Sequence, residues 1–340
     1  MKRLGSLPVV IAVLFASTFG ICSAARSEQN TCAPTVIAVN AVLPDGKLIR
    51  GLKRESLVAQ AKVGSVQIDS ITSDIGPRRF LFVLDTGHDL PSDTKKAEAE
   101  VASYIVSGAD TTDSFALTTA RGERIDVHFD EGREKLIAAF RRIEEGPKGP
   151  GNEEGALDAV MEALDWFQTP QVGDTIVLMA SEIEHNKRTA YSKVTRALAD
   201  RHTRLFGLLL GPMILGTIYE QFGTDYRGRF TATSDVVAND QNLSTLSWDS
   251  GGYLLVENAK SPWKDYKLTD KHLDELKTEA GQLYGAATEI YKVVMIPPAH
   301  SRDHEQWKLD LADSIRKRLP QAKILYPRQL PACIPQQTKR

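Results

Sequence analysis

Hydrophobic and polar positions follow two rhythms along this chain. Between about residues 79 and 257, short unbroken apolar runs alternate with stretches of helical periodicity. The run Phe80–Leu84, with Ser114–Thr119, Thr175–Ala180 and Arg204–Leu210, predicts strands buried on both faces, because a half-exposed strand would alternate in and out. Ser92–Ser107, Glu131–Glu145, Glu153–Phe167 and Ser192–His202 predict helices. In the third, Ala156, Leu157, Val160, Met161 and Leu164 recur at helical spacing and make one apolar face. Strands alternating with helices predict an α/β fold, a doubly wound, mostly parallel sheet with helices on both faces. The segment Gly146–Gly155, rich in Gly and Pro, predicts a loop that feeds into a helix.

The flanks are patterned differently. Thr35–Leu43, Leu57–Val63 and Val66–Ile71 predict strands before the central region, with a turn at Pro44-Asp45-Gly46. After it, Thr269–Tyr284 predicts a helix, and Thr288–Ile296 and Gln306–Leu311 predict strands. Each flank is too small to bury a core alone. The two are therefore expected to pack together as one small β-rich domain, residues 26–77 with 259–340, into which the α/β domain, residues 78–258, is inserted.

Residues 1–25 have the layout of a secretory signal peptide: Lys2 and Arg3, an apolar stretch from Leu7 to Ile21, then Ser23-Ala24-Ala25. Export to the periplasm or medium, without stable membrane insertion, is expected. Cys32 and Cys333 then remain in an oxidising compartment, where a disulfide is the expected state, and it would bring the two flanks together.

Composition narrows the function by exclusion. A formal charge of -2 with 25% charged residues gives no reason to expect nucleic acid as a partner. The chain has no dinucleotide-binding, phosphate-loop, zinc-hydrolase or nucleophile-elbow signature. The candidate chemistry lies where the Phe80–Leu84 run ends on Asp85, with Asp89 four residues on. Ligands sit at such carboxyl ends of parallel strands, and paired carboxylates invite a divalent cation. A dehalogenase-type phosphotransfer reading would need an acid at position 87, which is glycine.

Four segments carry a family resemblance: Phe80-Leu-Phe-Val-Leu-Asp85, Gly151-Asn-Glu-Glu-Gly-Ala-Leu-Asp158, Thr175-Ile-Val-Leu-Met-Ala-Ser181-Glu182, and Leu243-Ser-Thr-Leu-Ser-Trp-Asp-Ser-Gly251-Gly252-Tyr253. In order and spacing the chain resembles von Willebrand factor A domain proteins, and among them the exported group found in Acidobacteria. The resemblance implies the von Willebrand A fold and a metal-ion-dependent adhesion site in the strand-end loops. This chain departs from that site. Asp85 is kept, but the two serines fall at Gly87 and Asp89, the threonine at Glu153 or Glu154, and the distal aspartate at Ser181 beside Glu182. Two readings follow: a degenerate site that binds a protein partner with no cofactor, or an altered Mg²⁺ or Ca²⁺ site built from Asp85, Asp89, Glu154 and Glu182. The first is preferred because several ligands have changed together. The expected function is an exported, non-catalytic protein-interaction or adhesion module. The alternatives are a metal-assisted phosphohydrolase using Asp85 and a structural envelope component.

Overall fold

The computed structural model describes residues 32–43, 46–88, 90–146, 154–180, 189–210, 243–256, 267–331 and 333–334. The expected signal peptide lies outside the described residues. Five parallel strands form the central sheet: β5 (Arg79–Asp85), β6 (Ser114–Ala120), β7 (Thr175–Ala180), β8 (Arg204–Leu209) and β9 (Leu254–Val256), in the spatial order β6-β5-β7-β8-β9. The unbroken apolar run of β5 is explained by two cores. Leu81 and Val83 face one, with helices α3 (Ala156–Ala163), α4 (Tyr191–Asp200) and α5 (243–249). Phe80, Phe82 and Leu84 face the other, with α1 (Ser92–Gly108), α2 (Arg133–Glu144) and α6 (Asp270–Thr288). Helices thus cover both faces of a parallel sheet, as the alternating pattern predicts.

Two antiparallel four-stranded sheets interleave the flanks. One runs β12 (Lys323–Leu325), β1 (Thr35–Val42), β10 (Ile290–Ile296), β4 (Gln67–Asp74); the other runs β13 (Gln329–Leu330), β11 (Glu305–Leu311), β2 (Leu57–Ala61), β3 (Gly64–Ser65). Thr35 pairs with Met295 and Leu57 with Leu311, so strands from opposite ends of the sequence lie side by side. Their apolar faces, including Val39, Leu57, Val293, Trp307 and Leu309, form a third hydrophobic cluster. Cys32 and Cys333 are disulfide-bonded, with Cα atoms 5.0 Å apart across 301 residues of sequence.

Arg204, at the start of β8, holds these parts against one another. It is fully buried. Its Nε and Nη2 donate to the Gly251 carbonyl at 3.0 and 2.8 Å, its Nη1 donates to the Ala286 carbonyl at 3.2 Å, and Nη2 also reaches Asn40 Oδ1 on β1. Burial, and then the neighbouring Arg78 cation, pull its pKa down to about 9. The Gly251-Gly252 pair has a steric role here. A Cβ on Gly252 would lie 2.0 Å from the Leu205 carbonyl oxygen, so only glycine lets this segment lie against β8.

Two outcomes are expected. Replacing both Cys32 and Cys333 by serine removes a cross-link that in the chain-entropy model contributes up to about 5 kcal/mol, so the melting temperature falls, and reductant lowers the wild type toward the variant. Arg204→Leu strands the acceptors on Asn40, Gly251 and Ala286, and is expected to cost on the order of 3 kcal/mol in urea unfolding.

Candidate functional site

In chain order, the parallel strands run second, first, third, fourth, fifth across the sheet. The winding therefore reverses between β5 and β7, and in sheets of this kind ligands bind at the carboxyl ends of the strands at such a reversal. Asp85 is the last residue of β5 and is fully buried at that point.

Its partner is Arg121, the residue after β6. Arg121 Nε donates to Asp85 Oδ1 at 2.8 Å and Nη2 donates to Oδ2 at 2.5 Å, with the two side chains 5% and 0% exposed. The Gly87 N–H adds a 3.1 Å bond to Oδ1. A planar guanidinium matches a carboxylate in this two-pronged way, and such pairs are the stronger kind of hydrogen bond. The backbone is shaped to deliver it. Arg121 and Gly122 have φ of +51° and +61°. A Cβ on Gly122 would sit 2.1 Å from the Thr86 carbonyl oxygen. The left-handed conformation costs a non-glycine residue about 1–2 kcal/mol. Local bonds hold it: the Thr86 hydroxyl donates to the Arg121 carbonyl at 2.8 Å, and the Arg121 N–H donates to the Glu154 carbonyl at 3.0 Å.

A second carboxyl, Glu98 on α1, reaches the same place. It is fully buried, and neither of its oxygens makes a hydrogen bond of normal geometry. Burial, and then the Asp85 charge, hold its pKa well above the usual carboxylate range; Arg121, a looser contact from the Asp85 backbone and Lys95 oppose this only in part.

The carboxylates expected to form an ion site are distributed as follows. Glu154 turns its Oε2 to Arg124 Nη1 at 2.6 Å, and Arg124 also pairs with Asp126 and Glu162. Gly87 contributes only its backbone, and His88 is exposed. Asp89, Glu153, Ser181 and Glu182 lie outside the described residues. Among the described residues, the group of three ligand-type side chains close enough for one ion is Asp200, Asp303 and His304, which does not include Asp85. Its two carboxylates are mostly exposed and meet His304 Nε2 at 3.4 and 3.1 Å, which is ion-pair geometry.

The surroundings of Asp85 do not fit a divalent cation. Both carboxylate oxygens are engaged by Arg121. A dication about 4 Å from a guanidinium would be repelled by roughly 8 kcal/mol at an effective dielectric of 20. The expected altered Mg²⁺ or Ca²⁺ site therefore meets a resident cation, the Arg121 guanidinium. Neither Arg121 nor Glu98 was among the residues singled out from the sequence.

No family model and no curated protein matches the chain. Solved structures do. An aerotolerance-related membrane protein from Bacteroides fragilis is 14% identical, with a TM-score of 0.40, over 62% of this chain and 99% of that one. The conserved hypothetical protein BatB from Bacteroides thetaiotaomicron is 18% identical, with a TM-score of 0.39, over 61% and 98%. Proximal thread matrix protein 1 from the mussel byssus is 11% identical, with a TM-score of 0.44, over 68% of this chain; this chain spans about half the length of that protein, 50%.

A pH-dependent outcome follows from Glu98. The folded state keeps this proton to a higher pH than the unfolded chain does, so the group lowers stability progressively as pH rises past the unfolded carboxyl's value. Glu98→Gln removes that loss. Calorimetry is expected to show the variant melting above wild type at about pH 8, with the difference vanishing near about pH 4. Parallel pH profiles would mean that Glu98 is ionised in the folded protein.

Proposed function

We propose that this chain is an exported, non-catalytic protein-interaction module of the von Willebrand A type. Its α/β part is inserted into a small β domain built from both flanks. It binds a protein partner through the loops at the carboxyl ends of its strands, without the usual metal. One observation carries this reading. Asp85 is the carboxylate that a cation-dependent adhesion site or a phosphoryl-transfer reaction would use, and both of its oxygens are held by Arg121. The guanidinium charge against that carboxylate repels a dication and weakens the carboxylate as a nucleophile.

Other features agree. Asp85 ends β5 where the strand order reverses, at the end of the sheet from which such folds present their loops. The Cys32–Cys333 disulfide suits an oxidising compartment. Among the described residues, no helix is long and apolar enough to cross a membrane.

The test is photocrosslinking in the native cell, with a photoreactive residue at exposed His88 or at Glu154, both at the proposed binding end, and at exposed Gln171 in the turn before β7, at the opposite end. A protein adduct of one mass from the first two positions and none from Gln171 is expected. Equal labelling at both ends would remove the proposed binding face. Turnover of a generic phosphoester that disappears in Asp85→Asn would replace the module with an enzyme.

A further inference from the structure

We infer that Arg121 is a tethered cation that takes the place of a divalent ion at the end of β5, so that the strand-end loops are preassembled with no ion to bind or lose. This concerns how the site is held together and stands whatever class of partner it meets.

Two carboxyl groups, Asp85 and Glu98, are both fully buried at the carboxyl end of the sheet. Buried carboxylates need a cation or a dense set of donors. The guanidinium supplies both at once: charge, and two donors aimed at Asp85. Arg121 is also placed by a dedicated loop. Its left-handed backbone, the contact between Gly122 and the Thr86 carbonyl, and the bonds to Thr86 and Glu154 all serve to lay one side chain over one carboxylate. A surface arginine pairing by chance would need none of this. The same carbonyl of Glu154 ties the β6 loop to the segment entering α3, so the arginine connects three strand-end segments, as a shared ion would.

Deleting the guanidinium should uncover the ion chemistry it replaces. Arg121→Ser leaves two buried carboxyl groups, a hydroxyl and room for water, a set of oxygens that suits a hard dication. The experiment uses the full chain with Mn²⁺ as the probe, read by thermal unfolding and by electron paramagnetic resonance of bound Mn²⁺. Wild type is expected to show no melting shift in millimolar Mn²⁺. Arg121→Ser is expected to melt lower, to recover part of the loss with Mn²⁺, and to gain at least an order of magnitude in Mn²⁺ affinity. Asp85→Asn combined with Arg121→Ser removes both charges and is expected to fold and to ignore the ion. Arg121→Lys keeps the charge and is expected to ignore it as well.

The inference is overturned if wild type binds Mn²⁺ in a manner lost in Asp85→Asn. It is also overturned if Arg121→Ser folds and neither loses stability nor responds to Mn²⁺. Should Arg121→Ser fail to fold, the double variant decides. Recovery of folding when both charges are gone supports a charge-neutralising role, whereas a double variant that is equally unfolded assigns Arg121 to packing and ends the proposal.

Discussion

The end of the central sheet depends on one ion pair, Asp85 with Arg121. Burying a carboxylate at the tip of a strand enclosed on both faces is unfavourable unless a cation is buried with it. The guanidinium meets that requirement from the adjacent strand, through two bonds and a backbone turn that only a local network sustains. The neighbouring groups are arranged with respect to this pair. Gly87 caps one oxygen, Thr86 and Glu154 hold the arginine's backbone, and Glu98 packs alongside as a carboxyl whose pKa is raised by burial and then by the Asp85 charge. A site whose charge is neutralised from within has little use for a soluble ion. In the proposed function, the loop surfaces around it meet the partner instead.

The scaffold beneath the pair follows from simpler forces. The doubly buried runs of β5 and β7 make the interior of the sheet, and its two apolar faces recruit helices from both sides. The flanks close their own hydrophobic cluster only by pairing with each other, and the disulfide joins their far ends. Arg204 links the sheet to the flanks without a carboxylate partner among the described residues, trading charge pairing for four bonds to carbonyl and amide oxygens. Two buried arginines thus serve opposite ends of the parallel sheet. One neutralises a charge at its carboxyl end, and the other satisfies backbone acceptors at its amino end.

Much of this was legible in the sequence, for identifiable reasons. Runs such as Phe80–Leu84 and Thr175–Ala180 announce strands because burial on both faces removes alternation. The flanking strands and the Cys32–Cys333 pair were readable from period and from cysteine arithmetic. Strands of two or three residues, such as Gln329–Leu330, are too short to show any period. The Asp85–Arg121 pair was hidden because it joins residues 36 apart through strand adjacency, which no local pattern encodes. A signal did exist: Arg121-Gly122 stands directly after a buried strand, at the carboxyl end of the parallel sheet. Glu98 carried another, a charge set within the buried stripe of Ala97, Val101, Ala102 and Ile105 on α1. A cation supplied from elsewhere in the chain falls outside the positions that the family's motif marks.

The most direct measurement of this account is an anomalous-scattering crystal structure of the full chain grown in Mn²⁺. The account predicts Arg121 Nε and Nη2 on the two oxygens of Asp85, with no anomalous peak within coordination distance of that carboxylate. An Mn²⁺ ion bound to Asp85, with the Arg121 side chain displaced, would contradict it.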